Sequence, residues 1–215
     1  MADPATDGTA REPVACAVIR VDVKSKRFGD VLVLGDISFT IAKGETLALV
    51  GPSGIGKSTL LRILSGVDHD FEGTVIRPDA MAFVFQEPTL LPWRSALQNL
   101  LLVHPRLSAT DARERMAEVG LAGKELLFPG QLSLGQQRRL SLARAFAGQP
   151  ELLIMDEPYA SLDSDTGDAM LRLTEALIAR HRPASLFVTH DMREADRLAD
   201  RVLTLCPHAT GATLN

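Results

Sequence analysis

Only Cys16 and Cys206 occur among 215 residues, near opposite ends and without C-x-x-C spacing. That pair excludes a disulfide framework and a zinc site, and it fits the cytosol. No apolar run approaches the roughly 20 residues that a membrane-spanning helix needs, so any membrane role must pass through partner chains. Residues 1–13 carry acids, Pro and Gly but no basic start followed by an apolar core, so they read as a loose tail and not as a signal peptide. A net charge of -4 and a pI near 5.7 disfavour a general nucleic-acid binder and an anionic lipid surface as direct targets, since both need a basic face. There is no internal repeat, heptad array or low-complexity tract. What remains is 46% apolar residues, enough for the core of one domain with an elaboration.

The most specific pattern is Gly51-Pro52-Ser53-Gly54-Ile55-Gly56-Lys57-Ser58, which follows the apolar run Thr46–Val50 and opens a helix-like stretch from Thr59 to Ser65. Glycines let backbone N–H groups curl around phosphate oxygens, and the helix start adds the positive end of a dipole. Lys57 supplies a cation and the Ser58 hydroxyl a ligand for Mg²⁺. A glycine turn with an exposed lysine would need strand, turn, Lys, Ser and helix to coincide by chance, so the pattern predicts nucleotide triphosphate binding.

Alternating apolar stretches at Ala15–Val23 and Val31–Ile41, separated by the turn-like Phe28-Gly29-Asp30, predict antiparallel strands ahead of that loop. Met81–Phe85, Leu152–Met155 and Ser185–Val188 are short continuous apolar runs, the pattern of buried parallel strands. Ligands of open α/β sheets sit beyond the carboxyl ends of such strands, so Gln86, Asp156, Glu157 and His190 are expected to converge on the phosphate loop. The carboxylate pair fits a division of labour in which Asp156 holds Mg²⁺ or its water and Glu157 orients a hydrolytic water. Gln86 is placed to reach Mg²⁺ or the attacking water, and His190 to hydrogen-bond the γ-phosphate. No motif surrounds His69, His104, His181 or His208, which read as structural or exposed.

Between residues 88 and 148 the pattern turns helical: Ser95 to Val103, then Ser108-Ala-Thr-Asp111 as a capping-box start to a helix ending near Gly120. Within this stretch Leu132-Ser133-Leu134-Gly135-Gln136 precedes a helix-like run from Leu140 to Ala147. It is a second anion-binding helix start, but no lysine, carboxylate pair or strand accompanies it. Such a site makes sense if it caps a nucleotide held by a second copy of the chain, which predicts a head-to-tail pair with the nucleotide sandwiched between. The alternative is an ordinary N-capped helix.

On these residues the chain resembles the nucleotide-binding subunit of an ATP-binding cassette transporter, from Val18 to Leu205. In order it shows a Walker A loop at Gly51–Ser58, a Q-loop at Gln86, a signature at Leu132–Gln136, Walker B at Leu152–Asp156 followed by Glu157, a D-loop at Ser161-Leu-Asp163 and a switch histidine at His190. The resemblance implies an α/β fold of the P-loop NTPase kind, a RecA-like and mostly parallel sheet core with an antiparallel β subdomain and an inserted α-helical subdomain. It implies one ATPase domain over residues 14–208, a helical subdomain at about 88–148, and tails at 1–13 and 209–215. It also implies that Phe28 stacks on adenine, that the loop with Lys57, Ser58 and Thr59 holds the phosphates, and that Ser58, Gln86 and Asp156 hold Mg²⁺. Glu157 would activate water with Lys57, Gln86 and His190 around it, Ser133, Gly135 and Gln136 would touch the opposite subunit's nucleotide, and Asp163 would communicate across the dimer. Two positions depart from the family pattern. Leu134 stands where Gly is common and puts a side chain where backbone approaches phosphate, and Phe28 stands where Tyr is frequent and keeps the stacking face.

Phe85-Gln86-Glu87-Pro88-Thr89-Leu90-Leu91-Pro92-Trp93-Arg94 resembles the Q-loop region of importers for nitrate, sulfonates, taurine and related small solutes. This exposed apolar segment, with the only Trp, is suited to receive a helix from integral membrane permease subunits near Leu90–Arg94. The resemblance thus implies a homodimer energising solute import at the cytoplasmic face of the inner membrane, with a separate solute-binding protein. No regulatory domain is expected after Leu205. A soluble cassette acting on nucleic acid or ribosomes would usually carry coiled-coil insertions or two cassettes, and a GTPase would carry N-K-x-D. An exporter subunit shares every ATP-site motif and differs here only at Leu90–Arg94.

Overall fold

The structure, a computed structural model, describes residues 17–208 and 211–214. The expected tail over 1–13, the strand start at Ala15 and Cys16 lie outside the described residues. Strand β1 (Ala17–Phe28) buries Ile19, Val21 and Val23 on one face and leaves Arg20 and Lys24 outside, as alternation requires. It pairs antiparallel with β2 (Val31–Leu34), β3 (Ile37–Ala42) and β5 (Glu72–Ile76). The stretch expected as one strand from Val31 to Ile41 is broken at Gly35-Asp36 into β2 and β3. The physical cause is a remote partner: the Gly35 N–H leaves the β1 ladder and donates to the Ala212 carbonyl at 2.8 Å.

The second sheet runs β10-β9-β4-β8-β7-β6. Strands β4 (Thr46–Val50), β6 (Met81–Val84), β7 (Leu152–Asp156), β8 (Ala184–Thr189) and β9 (Arg201–Cys206) are parallel, as the continuous apolar runs predict for β6, β7 and β8. Every residue of β4 and β8 is buried, because both faces of the sheet are covered. Leu47 and Leu49 of β4 join one core with Ile19, Ile41, Leu60 and Leu64, while Ala48 and Val50 join the other with Leu100, Met116, Phe146 and Phe187. Strand β10 (Thr213–Leu214) pairs antiparallel with Cys206 and Leu205 of β9. Residues 213–214 are therefore strand, where a tail is expected from the sequence.

Helix α1 (Lys57–Ser65) follows the phosphate loop. Helices α2 (Ala96–Val103), α3 (Ala109–Glu118) and α4 (Leu134–Ala147) pack on one another, and α4 also packs on β6 and on α5 (Ser164–His181). A 3₁₀ turn, Pro129–Gln131, precedes α4, and α6 (Met192–Leu198) follows β8. Ser108 caps α3 by accepting from the Asp111 N–H, but the reciprocal capping boxes form at Ser95–Gln98 and Ser133–Gln136. The aspartate side chain is one methylene shorter than the Glu or Gln that reaches back to the cap. The Ser133 box also explains why α4 begins at Leu134 and not near Leu140.

Candidate nucleotide site

The loop from Gly51 to Gly56 joins β4 to α1 through backbone that only glycine adopts comfortably. Gly54 and Gly56 have φ of 78° and 114°. A Cβ on Gly56 would stand 2.6 Å from Leu34 Cδ2, and one on Gly51 would stand 2.9 Å from the Leu205 carbonyl oxygen. Helix α1 therefore starts with no side-chain cap at Gly56, and its first-turn N–H groups have no acceptor within the helix. Lys57 is buried, with its ammonium donating to the carbonyls of Gly51 at 2.8 Å and Pro52 at 3.1 Å. Ile55 packs against the core beside the loop.

The ends of β7 and β8 bring the acidic groups to this ammonium. Glu157 Oε1 lies 3.8 Å from Lys57 Nζ, and Glu157 Oε2 lies 3.4 Å from His190 Nδ1. Glu157 holds a φ of 44°, a left-handed conformation rare for a residue with a Cβ, and its N–H donates to the Val188 carbonyl at 2.9 Å. Backbone strain of this kind is kept where the surroundings impose it, and it clusters at functional sites. Burial pushes the Asp156 carboxyl above its ordinary value, the neighbouring Glu157 charge adds to this, and Lys57 opposes it.

A cavity of about 380 Å³ is lined by Phe28, Ser53, Gly54, Gly56, Lys57, Ser58, Thr59, Gln86, Asp156 and Glu157, together with Val33. The structure thus brings together in one chamber an aromatic ring, part of the phosphate loop, a hydroxyl, an amide and two carboxylates, while Gly51, Pro52 and Ile55 do not line it and His190 borders it only through Glu157. Ser133, Gly135, Gln136 and Asp163 do not line it. Ser133 is exposed at the start of α4, and its hydroxyl accepts from the Gln136 N–H at 3.3 Å. Asp163 caps α5 through the Thr166 N–H at 3.0 Å. A Cβ on Gly135 would stand 3.0 Å from Thr166 Cγ2, so the starts of α4 and α5 lie side by side.

One residue of this region is not singled out by the sequence. Arg138 of α4 is buried, and its guanidinium donates to the carbonyls of Pro158 and Ala160 in the turn that follows Glu157. It ties the helix begun at Ser133 to the strand end that carries Glu157. The Arg138-Arg139 doublet offers no local signal for which arginine turns inward. Of the remaining histidines, His69 is exposed, His104 Nε2 lies 2.7 Å from the Arg144 carbonyl, and His181 packs on Phe146 with ring centroids 5.3 Å apart.

A glycine loop at a helix start, a lysine and a strand-end carboxylate pair define a P-loop NTPase. Residues 34–160 match the family model described as ABC transporter. The chain is 46% identical over 194 residues to an aliphatic sulfonates import ATP-binding protein of Rhizobium johnstonii, covering 89% of this chain and 78% of that one. Proteins of the same description from Rhodococcus jostii and Frankia alni are 46% and 50% identical, with 94% and 84% of this chain and 76% and 74% of theirs covered. A solved chain described as an inward-facing ABC transporter of metal-chelate type shares the fold, with a TM-score of 0.81 at 24% identity over 93% of this chain and 83% of that one. The chain belongs to the ABC transporter family and is an ATPase subunit. Among the described residues no helix is long and apolar enough to cross a membrane.

Proposed function

We propose that two copies of this chain bind two molecules of ATP with Mg²⁺ at their interface and energise the import of a small organic anion, of the sulfonate class, through separate membrane permease subunits. The observation that carries this reading is a division of the site. The cavity holds Lys57, Ser58, Asp156 and Glu157, while the second helix start at Ser133 and Gly135 stays outside it, with Ser133 exposed and no lysine or carboxylate pair of its own. A second copy in head-to-tail order supplies the missing donors to each nucleotide. The relatives' printed names support ATP binding and sulfonate import, and on this reading the subunit lies peripheral to the cytoplasmic side of the membrane and is served by a solute-binding protein.

Phe28 stacks on the base, the N–H groups of α1 and Lys57 hold the phosphates, and Glu157 accepts a proton from water as that oxygen attacks the γ-phosphorus and the bond to the ADP oxygen breaks. His190 hydrogen-bonds a γ-phosphate oxygen. The Ser58 hydroxyl, Gln86 amide and Asp156 carboxylate line one cavity and are the hard oxygen donors that Mg²⁺ prefers, so the residues fit that ion. When bound, Mg²⁺ neutralises phosphate charge. Coupling passes through Leu90–Arg94, where Trp93 is 68% exposed on a turn held from beneath by Asn99.

Replacing Glu157 by Gln tests the reading. Phosphate release is expected to fall about 10²–10⁴-fold, the range of general-base contributions, while light scattering finds a dimer that persists in ATP. Near-normal turnover by the variant, or fast turnover by a wild-type chain that stays monomeric at every concentration, contradicts it.

A further inference from the structure

We propose that Lys26 is a positioning residue for the base of the nucleotide: its ammonium braces the Phe28 ring from behind and ties it to the end of α1. This rests on the nucleotide reading of the cavity and extends it to a residue that never touches the ligand.

Alternation along β1 would keep Ile19, Val21 and Val23 inside and turn Lys24 and Lys26 outward together. The pairing with β5 breaks that parity. Val23 lies opposite Gly73, whereas Ser25 lies opposite Glu72, so β1 carries one extra residue, Lys24, at this point. A bulge of this kind re-aims the side chains beyond it. Gly73 permits it, with a φ of 132° and space so tight that a Cβ would stand 2.0 Å from the Asp22 carbonyl oxygen. Lys24 accordingly stays in solvent and Lys26 turns inward, to 2% exposure.

The inward ammonium is fully engaged. It donates to Asp68 Oδ1 at 2.9 Å and to the Asp70 carbonyl at 2.5 Å, lies 3.3 Å from Asp70 Oδ2, and sits 4.7 Å from the centroid of the Phe28 ring. The Asp68 hydrogen bond, first among the causes, holds Lys26 above its ordinary pKa, and the same bond holds Asp68 below its own, so both stay charged. Asp68 is itself fixed. The N–H groups of Val67 and Asp68 both donate to the Arg62 carbonyl, closing α1, and the Asp70 N–H donates to Asp68 Oδ1 at 3.0 Å.

Phe28 lines the nucleotide cavity and Lys26 does not, so the ammonium 4.7 Å from the ring centroid stays outside the chamber that the ring helps to wall. The ring is half exposed at the tip of a hairpin, where an aromatic side chain would otherwise turn among rotamers. A cation against one face fixes the ring and draws π density toward itself, which leaves the opposite face better suited to an electron-rich purine. One ammonium thereby joins the element that receives the base to the helix whose start receives the phosphates.

The test compares MgATP with Mg-tripolyphosphate, which has the phosphates but no base, in equilibrium binding to the full chain. The double variant Lys26→Met/Asp68→Asn removes the cation without leaving its less exposed carboxylate partner unpaired, and Asp70, almost fully exposed, stays solvated. It is expected to bind ATP about five- to tenfold more weakly, the scale of a cation–π contact, and to bind tripolyphosphate as wild type does. Lys26→Arg, which keeps the cation, should restore ATP binding, and adding the double change to Phe28→Ala should cost nothing further. An equal loss for both ligands, or no loss for either, overturns the positioning role. Wild-type protein that binds tripolyphosphate as tightly as ATP overturns it by removing the base contact, and wild-type protein that binds neither defeats the nucleotide reading itself.

Discussion

His190 Nδ1 lies 3.4 Å from Glu157 Oε2, and the contact follows from the ladder between neighbouring strands. Asp156 of β7 lies opposite Val188 of β8, and the Glu157 N–H donates to the Val188 carbonyl. The residue after one strand end and the residue two beyond its partner are thus set side by side by backbone pairing alone. Lys57 reaches the same carboxylate from a third element, so Glu157 stands between two potential cations in a strained backbone conformation. As the proton acceptor we propose, a carboxylate held this way would need little reorganisation as charge develops.

Ser133 separates its two roles by magnitude. As the N-cap of α4 its replacement by Ala should cost about 1 kcal/mol of stability. As a donor to the opposite nucleotide it should lower ATP turnover at least about tenfold with the ATP dissociation constant nearly unchanged, the pattern of an interaction made only in the transition state. Turnover within about twofold of wild type would leave the helix cap as its whole role.

Arg138→Met keeps the bulk of the side chain and removes two charged hydrogen bonds to Pro158 and Ala160. Bonds from charged donors contribute about 1.5–3 kcal/mol each, so chemical denaturation should detect a loss of about 3 kcal/mol or more. Turnover should fall too, because the freed carbonyls follow Glu157 directly. A variant as stable and as active as wild type contradicts the link.

Asn99 is buried and bonds only to backbone: it accepts from the Leu91 N–H at 2.7 Å and donates to the carbonyls of Leu91, Arg94 and Ser95. Asn99→Ala should destabilise the chain by about 2–3 kcal/mol through unpaired buried groups. It should also lower the fluorescence anisotropy of Trp93, the only tryptophan in the sequence. Unchanged anisotropy would mean that the Leu91–Arg94 turn holds without it.

Burial pushes His181 below its ordinary pKa of 6.5, with Glu118 opposing and Arg115 and Arg180 adding to the shift. The unfolded chain therefore binds a proton near pH 6.5 that the native state refuses. The contribution of this group to stability is present above pH 6.5 and is lost as pH falls through the lowered native value. Denaturation midpoints of wild type should drop between about pH 7 and 5, and His181→Gln should flatten that drop, so that the wild-type-minus-variant difference declines as pH falls. Parallel curves would assign the acid sensitivity elsewhere.

The elements that carry the chemistry were legible because their signals are short and continuous. The runs at Met81, Leu152 and Ser185 became β6, β7 and β8, and the residues after them line or border the cavity. Breaks set by remote partners were not legible. Gly35 splits β2 from β3 by bonding to Ala212, and residues 213–214 become β10 only because β9 offers an open edge. Arg138 and Arg139 are equivalent in sequence, and the choice between them waits on carbonyls about 20 residues away.

A phosphate loop, a helix cap and a buried parallel strand are each specified by neighbouring residues, so the chain by itself determined its class, its nucleotide chamber and the strand ends that furnish carboxylates. Tertiary structure decided which side chains of like kind face inward. Lys24 and Lys26 lie two positions apart on one strand, yet only Lys26 is drawn against Phe28, because inward parity along a strand depends on its register with β5 and not on its own composition.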